Sequence, residues 1–117
     1  MEYFNINEFD SPDEIGSGCN MDSEFLNMIQ AARRIANIPF KITSGYRTSK
    51  RNLSAGGVKG SSHLSGLAAD ISVTNSKQRS IIVNACIEAG FTRIGIANSF
   101  IHIDNDSSKT QNVIWVY

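Results

Sequence analysis

The residues that decide how this chain reads are Ser61-Ser62-His63-Leu64-Ser65-Gly66-Leu67-Ala68-Ala69-Asp70 and, further along, Phe100-Ile101-His102-Ile103-Asp104. Between them they hold both histidines of the sequence. Phe100–Asp104 reads as a short strand, and residues two apart on a strand project from the same face, so Asp104 lies on the side of His102. Leu67 to Val73 reads as a buried strand, and Gly66 before it lets the backbone turn. Zinc takes imidazole nitrogen and carboxylate oxygen, and a catalytic site keeps three protein ligands and one open position. His63, Asp70 and His102 are the economical mixed set that uses both histidines. On residue types alone, two isolated polar histidines on a loop and a strand is the commoner reading, and both remain open at this level.

Outward from this core, the sequence divides into elements without repeats, low-complexity tracts or linkers. Residues 1–20 are turn-rich, punctuated by Asp10-Ser11-Pro12-Asp13 and Gly16-Ser17-Gly18. Residues 22–37 predict a helix, because Phe25, Leu26, Ile29, Ala32 and Ala36 recur at three- and four-residue spacing, with Asp22 as N-cap. Phe40–Ser44 alternates as a half-buried strand does. Residues 45–66 carry Gly45, Gly56, Gly57, Gly60 and Gly66 and predict a long structured loop of the kind that often bears function. Asn75 and Gln78 form a capping box for a second helix, with Ile82, Cys86 and Ala89 inward and Gly90 as its stop. Arg93–Ile96, Phe100–Asp104 and Val113–Tyr117 predict three more strands. Two helices and about five strands in mixed order give an α+β fold, helices packed on a largely antiparallel sheet. Phe25, Phe40, Phe91 and Trp115 fall on element faces that assign them to the core.

Composition narrows the function classes. The 117 residues suit one domain, 1–117. Eleven Lys and Arg against 11 Asp and Glu leave no net charge, which removes the electrostatic case for a nucleic-acid partner or a polybasic membrane anchor. No apolar run approaches the roughly 20 residues of a membrane span. The start, Met1-Glu2-Tyr3-Phe4-Asn5, shows no basic and apolar leader, so synthesis in the cytoplasm is the expectation. Cys19 and Cys86 are too few for a disulfide scaffold; Cys86, on the inner helix face, reads as a buried thiol.

Ser61-x-His63-x-x-Gly66-x-Ala68-x-Asp70, with His102 on a distant strand, resembles the zinc D-Ala-D-Ala carboxypeptidase family and its LAS-type relatives, most of all the small single-domain members carried by bacteriophages. The resemblance extends to Glu8-Phe9-Asp10-Ser11-Pro12, Ser44-Gly45-Tyr46-Arg47-Thr48, Asn52, Gly56-Gly57-Val58, Gly90-Phe91, Arg93-Ile94-Gly95-Ile96 and Trp115-Val116-Tyr117. It implies one zinc ion held by His63, Asp70 and His102. It implies hydrolysis of the peptide part of bacterial peptidoglycan by metal-activated water, as carboxypeptidase or endopeptidase. Action would be at the cell wall of the bacterial host, after release or delivery of a chain made in its cytoplasm. Arg47 would stabilise developing oxyanion charge or bind a substrate carboxylate, the alternative being a surface salt bridge. Ser61 would line the substrate site or serve as a turn serine, while Tyr46 is assigned to packing before any role at the rim.

The pattern departs from the family at one point. Relatives commonly carry an acid shortly before the last zinc histidine, whereas Ile96-Ala97-Asn98-Ser99-Phe100-Ile101 contains none. Hedgehog-type relatives carry His-x-His there, and Phe100 takes the place of the first His. Asp104 becomes the candidate general base, or else a carboxylate that orients a ligand imidazole. The departure favours the rival reading, a non-catalytic metal-stabilised binding domain or structural phage protein of the same fold. Oligomeric state is not legible in the sequence.

Overall fold

A computed structural model describes all residues, 1–117. It has three α-helices, α1 (Ser23–Ala36), α2 (Ser49–Ser54) and α3 (Ser76–Glu88), and five strands. The strands are β1 (Ile42–Ser44), β2 (Ala68–Ser72), β3 (Arg93–Ile96), β4 (Phe100–Asp104) and β5 (Val113–Val116). They form one sheet in the order β1-β2-β4-β3-β5. Every pairing is antiparallel except β3 with β5. The expected α+β architecture is therefore present, with a parallel edge strand added. No helix is long and apolar enough to cross a membrane.

The helices begin and end where local chemistry directs. Asp22 Oδ2 accepts from Phe25 N at 2.9 Å and caps α1, satisfying one of the amides that a helix start leaves free. Asn37 closes α1 with φ +53°. Asn75 Oδ1 accepts from Gln78 N at 2.8 Å. The reciprocal bond differs from the expected box: Gln78 Oε1 reaches Thr74 N at 2.7 Å, one residue further back. Gly90 follows α3 at φ +104°.

Strand alternation splits the sheet into two faces. Ile71, Ile94, Ile101 and Ile103 point to one side and join Phe25 and Ile29 of α1 and Ile82 and Cys86 of α3 in the apolar core. The other face carries polar residues in two rows. Cα partners put Ser44, Asp70, His102, Gly95 and Trp115 in one row across all five strands. Ala68, Asp104, Arg93 and Val113 form the adjacent row. α1 and α3 cover the first face; the second carries the polar groups, with Asn52 of α2 at its edge bonding Arg47.

Two expectations need correction. Residues 45–66 are not loop throughout, since α2 lies within them, started by Thr48 Oγ1 accepting from Arg51 N at 3.1 Å. Trp115 is not core. It stands on the polar face, its ring lying against Gly95 so closely that a Cβ there would come within 2.6 Å of it. The three phenylalanines assigned to the core are buried as expected.

The N-terminal segment braces the site from behind. Asp10 accepts from the amides of Gly16 and Gly18 at 2.9 and 2.7 Å, folding residues 10–18 into a compact turn. Tyr46 N donates to Phe9 O at 2.9 Å. A Cβ on Gly45 would sit 2.7 Å from Phe9 Cα, so only glycine allows the two strands of chain to approach this closely.

Both cysteines are free thiols, Cys19 exposed and Cys86 buried. Burial pushes the Cys86 thiol up to about 12, which withdraws the reactive thiolate. We expect Ellman's reagent to titrate one thiol in the folded chain and two after denaturation. A Cys19→Ser variant that still reacts rapidly while folded would contradict this arrangement.

Candidate metal centre

His63 lies in a single 3₁₀ turn, Ser62–Ser65, just before β2. Ser61 caps that turn, its Oγ accepting from His63 N at 3.3 Å. Gly66 leaves it at φ +69°, where a side chain would also strike Asn20 O. The chain thus reverses within four residues and enters β2, which carries Asp70 directly opposite His102 of β4. The three side chains converge: Asp70 Oδ1 is 3.4 Å from His63 Nε2 and 3.1 Å from His102 Nδ1. All three residues are buried.

The hydrogen bonds behind the rings decide which nitrogens face inward. His63 Nδ1 is 2.7 Å from Gly45 O, and a carbonyl only accepts, so Nδ1 carries the proton. Nε2 then presents a lone pair, and it has no hydrogen-bond partner although buried. His102 Nε2 is 2.7 Å from Asp104 Oδ2 and donates to it, leaving a lone pair on Nδ1 of the neutral ring. Two nitrogen lone pairs and a carboxylate oxygen therefore face one another. Three electron-rich atoms held together in a buried site favour positive charge between them, whether a proton shared with Asp70 or a metal ion.

The spacing fits a metal ion. Ligands about 2.0–2.1 Å from a tetrahedral centre lie roughly 3.3 Å apart, close to the separations around Asp70 Oδ1. Asp104 is also held: its Oδ1 accepts from Arg93 Nε at 2.7 Å and from Asp106 N at 3.1 Å. The chain Arg93–Asp104–His102 is a carboxylate–imidazole support of the kind that fixes ring orientation behind a metal.

Titration follows the same geometry. Burial opposes ionisation of Asp70, yet hydrogen bonds and charge from His102 and His63 hold its pKa well below the carboxylate range. Burial likewise opposes protonation of His102, but Asp104 and Asp70 outweigh it and raise its pKa above the ordinary imidazole value. Asp104 is lowered: burial works against its ionisation, and His102 and Arg93 with the Asp106 amide overcome it. In the metal-free chain a proton on His102 relieves the confronted lone pairs.

The centre sits in a cavity of about 370 Å³. Arg47 lines one side, its guanidinium held by Ser44 Oγ at 2.9 Å and Asn52 Oδ1 at 3.3 Å, with Nη2 3.5 Å from Asp70 Oδ2. It is an internal ion pair rather than a surface one. Ser61 lines the cavity as well as capping its turn. Asp104 lies beside His102, as strand alternation requires, with both oxygens engaged. Tyr46 packs against the core. Sequence reasoning assigned no role to Arg93, Lys109 or Tyr117, and took Trp115 for core, yet all four line the cavity. Arg93 had a signal: it falls two residues before Gly95 on a strand opposite Phe100–Asp104.

Metal uptake must displace the His102 proton, so affinity should fall as pH drops through the raised His102 pKa, by up to about tenfold per unit. Calorimetric titration with Zn²⁺ in buffers of different ionisation enthalpy should count one ion bound and proton release near pH 6.5. His63→Ala should abolish tight binding. Stoichiometric, pH-independent uptake by that variant would refute this centre.

The family model described as Peptidase M15 matches residues 2–104. Among curated proteins none matches the chain significantly. The matched span contains β1 to β4 and all three residues of the buried His63–Asp70–His102 group. A match over that span, on a fold that builds a metal-binding group at its centre, establishes that the chain belongs to the peptidase M15 family.

Proposed function

We propose that the chain is a zinc-dependent peptidase that hydrolyses the peptide part of bacterial peptidoglycan, acting at the cell wall after release or delivery from the cytoplasm. The observation that carries this reading is the trio of inward-facing donors, His63 Nε2, Asp70 Oδ1 and His102 Nδ1, at the floor of a cavity large enough for a peptide segment. Two imidazoles and one carboxylate suit zinc better than calcium or magnesium. Zinc, when bound, supplies a Lewis acid for the scissile carbonyl and activates water.

The chain's own residues supply the rest. Arg47 is pre-oriented by Ser44 and Asn52, so its remaining N–H groups are available to an oxygen that gains charge during carbonyl attack. Gly57 packs against the Arg47–Asn52 pair, where a Cβ would lie 2.0 Å from Asn52 Oδ1. That contact keeps the α2 turn close enough to hold the guanidinium in place. Asp70 and Asp104 are the acidic side chains that line the cavity. Both Asp104 oxygens are committed to Arg93, His102 and the Asp106 amide. We therefore assign Asp104 to positioning His102; as the proton acceptor it would first have to release one of these bonds.

Peptidoglycan incubated with zinc-loaded protein should yield new peptide termini by mass spectrometry, and His63→Ala should yield none. Identical spectra for the two would favour a metal-stabilised binding or structural protein of this fold. Asp104→Asn separates the two roles of that residue. As a positioning group its loss should weaken zinc binding about 10–100-fold, with activity restored by added zinc. An inactive variant with full zinc content would instead make Asp104 the base.

A further inference from the structure

The cavity has a second cationic wall, contributed by residues after the span that the family model matches. Lys109 Nζ donates to Ser62 Oγ at 2.8 Å, and Ser62 Oγ donates to Asp106 Oδ2 at 2.7 Å. Ser62 and Asp106 are both buried, and Asp106 is fixed in turn by Ser108 N and Oγ at 3.1 and 2.6 Å. The ammonium is thus held against a rigid support on the turn between β4 and β5. It remains open on its other side: Lys109 lines the cavity, with its side chain 31% exposed. Only one of its three N–H groups has a hydrogen-bonded partner, since Asp106 Oδ2 is 3.8 Å away.

The other cations facing the cavity have closer carboxylate partners than Lys109, whose nearest is Asp106 at 3.8 Å. Arg93 is paired with Asp104 at 2.7 Å and lies 5.0 Å over the Trp115 ring. Arg47 leans on Asp70. A divalent ion bound at the floor would add further positive charge. Lys109 is a pre-oriented cation with free donors, hydrogen-bonded to Ser62, the neighbour of His63, and lining the same cavity as Trp115.

Resting on the peptidase reading above, we propose that Lys109 is a specificity-determining residue that pairs with a free carboxylate of the substrate peptide. Stem peptides offer that group at two places, the C-terminus and the α-carboxylate of the γ-linked D-Glu. Both present the same chemistry to an ammonium group.

The sole tryptophan, Trp115, lies in the same cavity, so its fluorescence reports binding independently of cleavage. The titrants are the pentapeptide L-Ala-γ-D-Glu-L-Lys-D-Ala-D-Ala, its C-terminal amide and its isoglutamine form, each added to zinc-loaded full-length protein. We expect the unmodified peptide to bind about tenfold more tightly than one of the amides, equivalent to about 1.4 kcal/mol. Lys109→Met should erase that ratio, Lys109→Arg should restore most of it, and zinc content should stay unchanged in both. The amide that matches the Lys109→Met loss identifies the carboxylate. An unchanged ratio in Lys109→Met, or no binding by the wild-type chain, overturns the proposal. Selective binding without any cleavage would leave the carboxylate site standing and remove the peptidase reading instead.

Discussion

Everything at the polar face of this protein turns on Asp70 facing the inner nitrogens of two imidazoles, His63 Nε2 and His102 Nδ1, at 3.4 and 3.1 Å. Such a confrontation is unfavourable unless a positive charge sits within it. The fold spends several structural devices on holding it in place. β2 and β4 pair antiparallel so that Asp70 and His102 are opposite each other. Gly45 O and Asp104 grip the far edges of the two rings. Gly66 makes the reversal that delivers His63 to the same point. Remove any one of these and the donors no longer share a focus.

The sheet separates two tasks that small domains must often combine on one surface. Isoleucines at alternate positions of β2, β3 and β4 meet the helices and supply the apolar burial that stabilises the fold. The intervening positions are released from packing and carry charge. Burial of Asp104 at 1% exposure is tolerated because Arg93, His102 and a backbone amide satisfy both of its oxygens. The electrostatic network is therefore anchored to the most regular part of the backbone, which is the arrangement that holds donor atoms to within tenths of an ångström.

Much of this was legible beforehand, and the reasons differ by element. Phe100–Asp104 and Arg93–Ile96 declare themselves through alternation, and the Asp22 and Asn75 caps mark the helix starts to the residue. Having only two histidines narrowed the ligand set, but the resemblance to the zinc carboxypeptidase family was what singled out His63, Asp70 and His102. α2 escaped notice because Ser49-Lys50-Arg51-Asn52-Leu53-Ser54 has no apolar stripe, and its Leu53 is in fact exposed. Its only local signal was Thr48 as a cap. The parallel direction of β5 has no signature in a four-residue strand, and neither has its register, which pairs Trp115 with Gly95 and so puts it on the polar face. Lys109 was invisible for a related reason: a single lysine in a polar turn acquires meaning only when the turn folds back onto Ser62.

Gly95 gives the sheet a feature that counting functional groups would never reveal. It occupies the row between His102 and Trp115, contributes no atom beyond the backbone, and weakens a strand that any β-branched residue would strengthen. Its missing side chain is the space in which the indole stands. The boundary of the cavity on that side is thus encoded by an omission, so a methyl group added at Gly95, directly across from His102, would reshape what the cavity can admit.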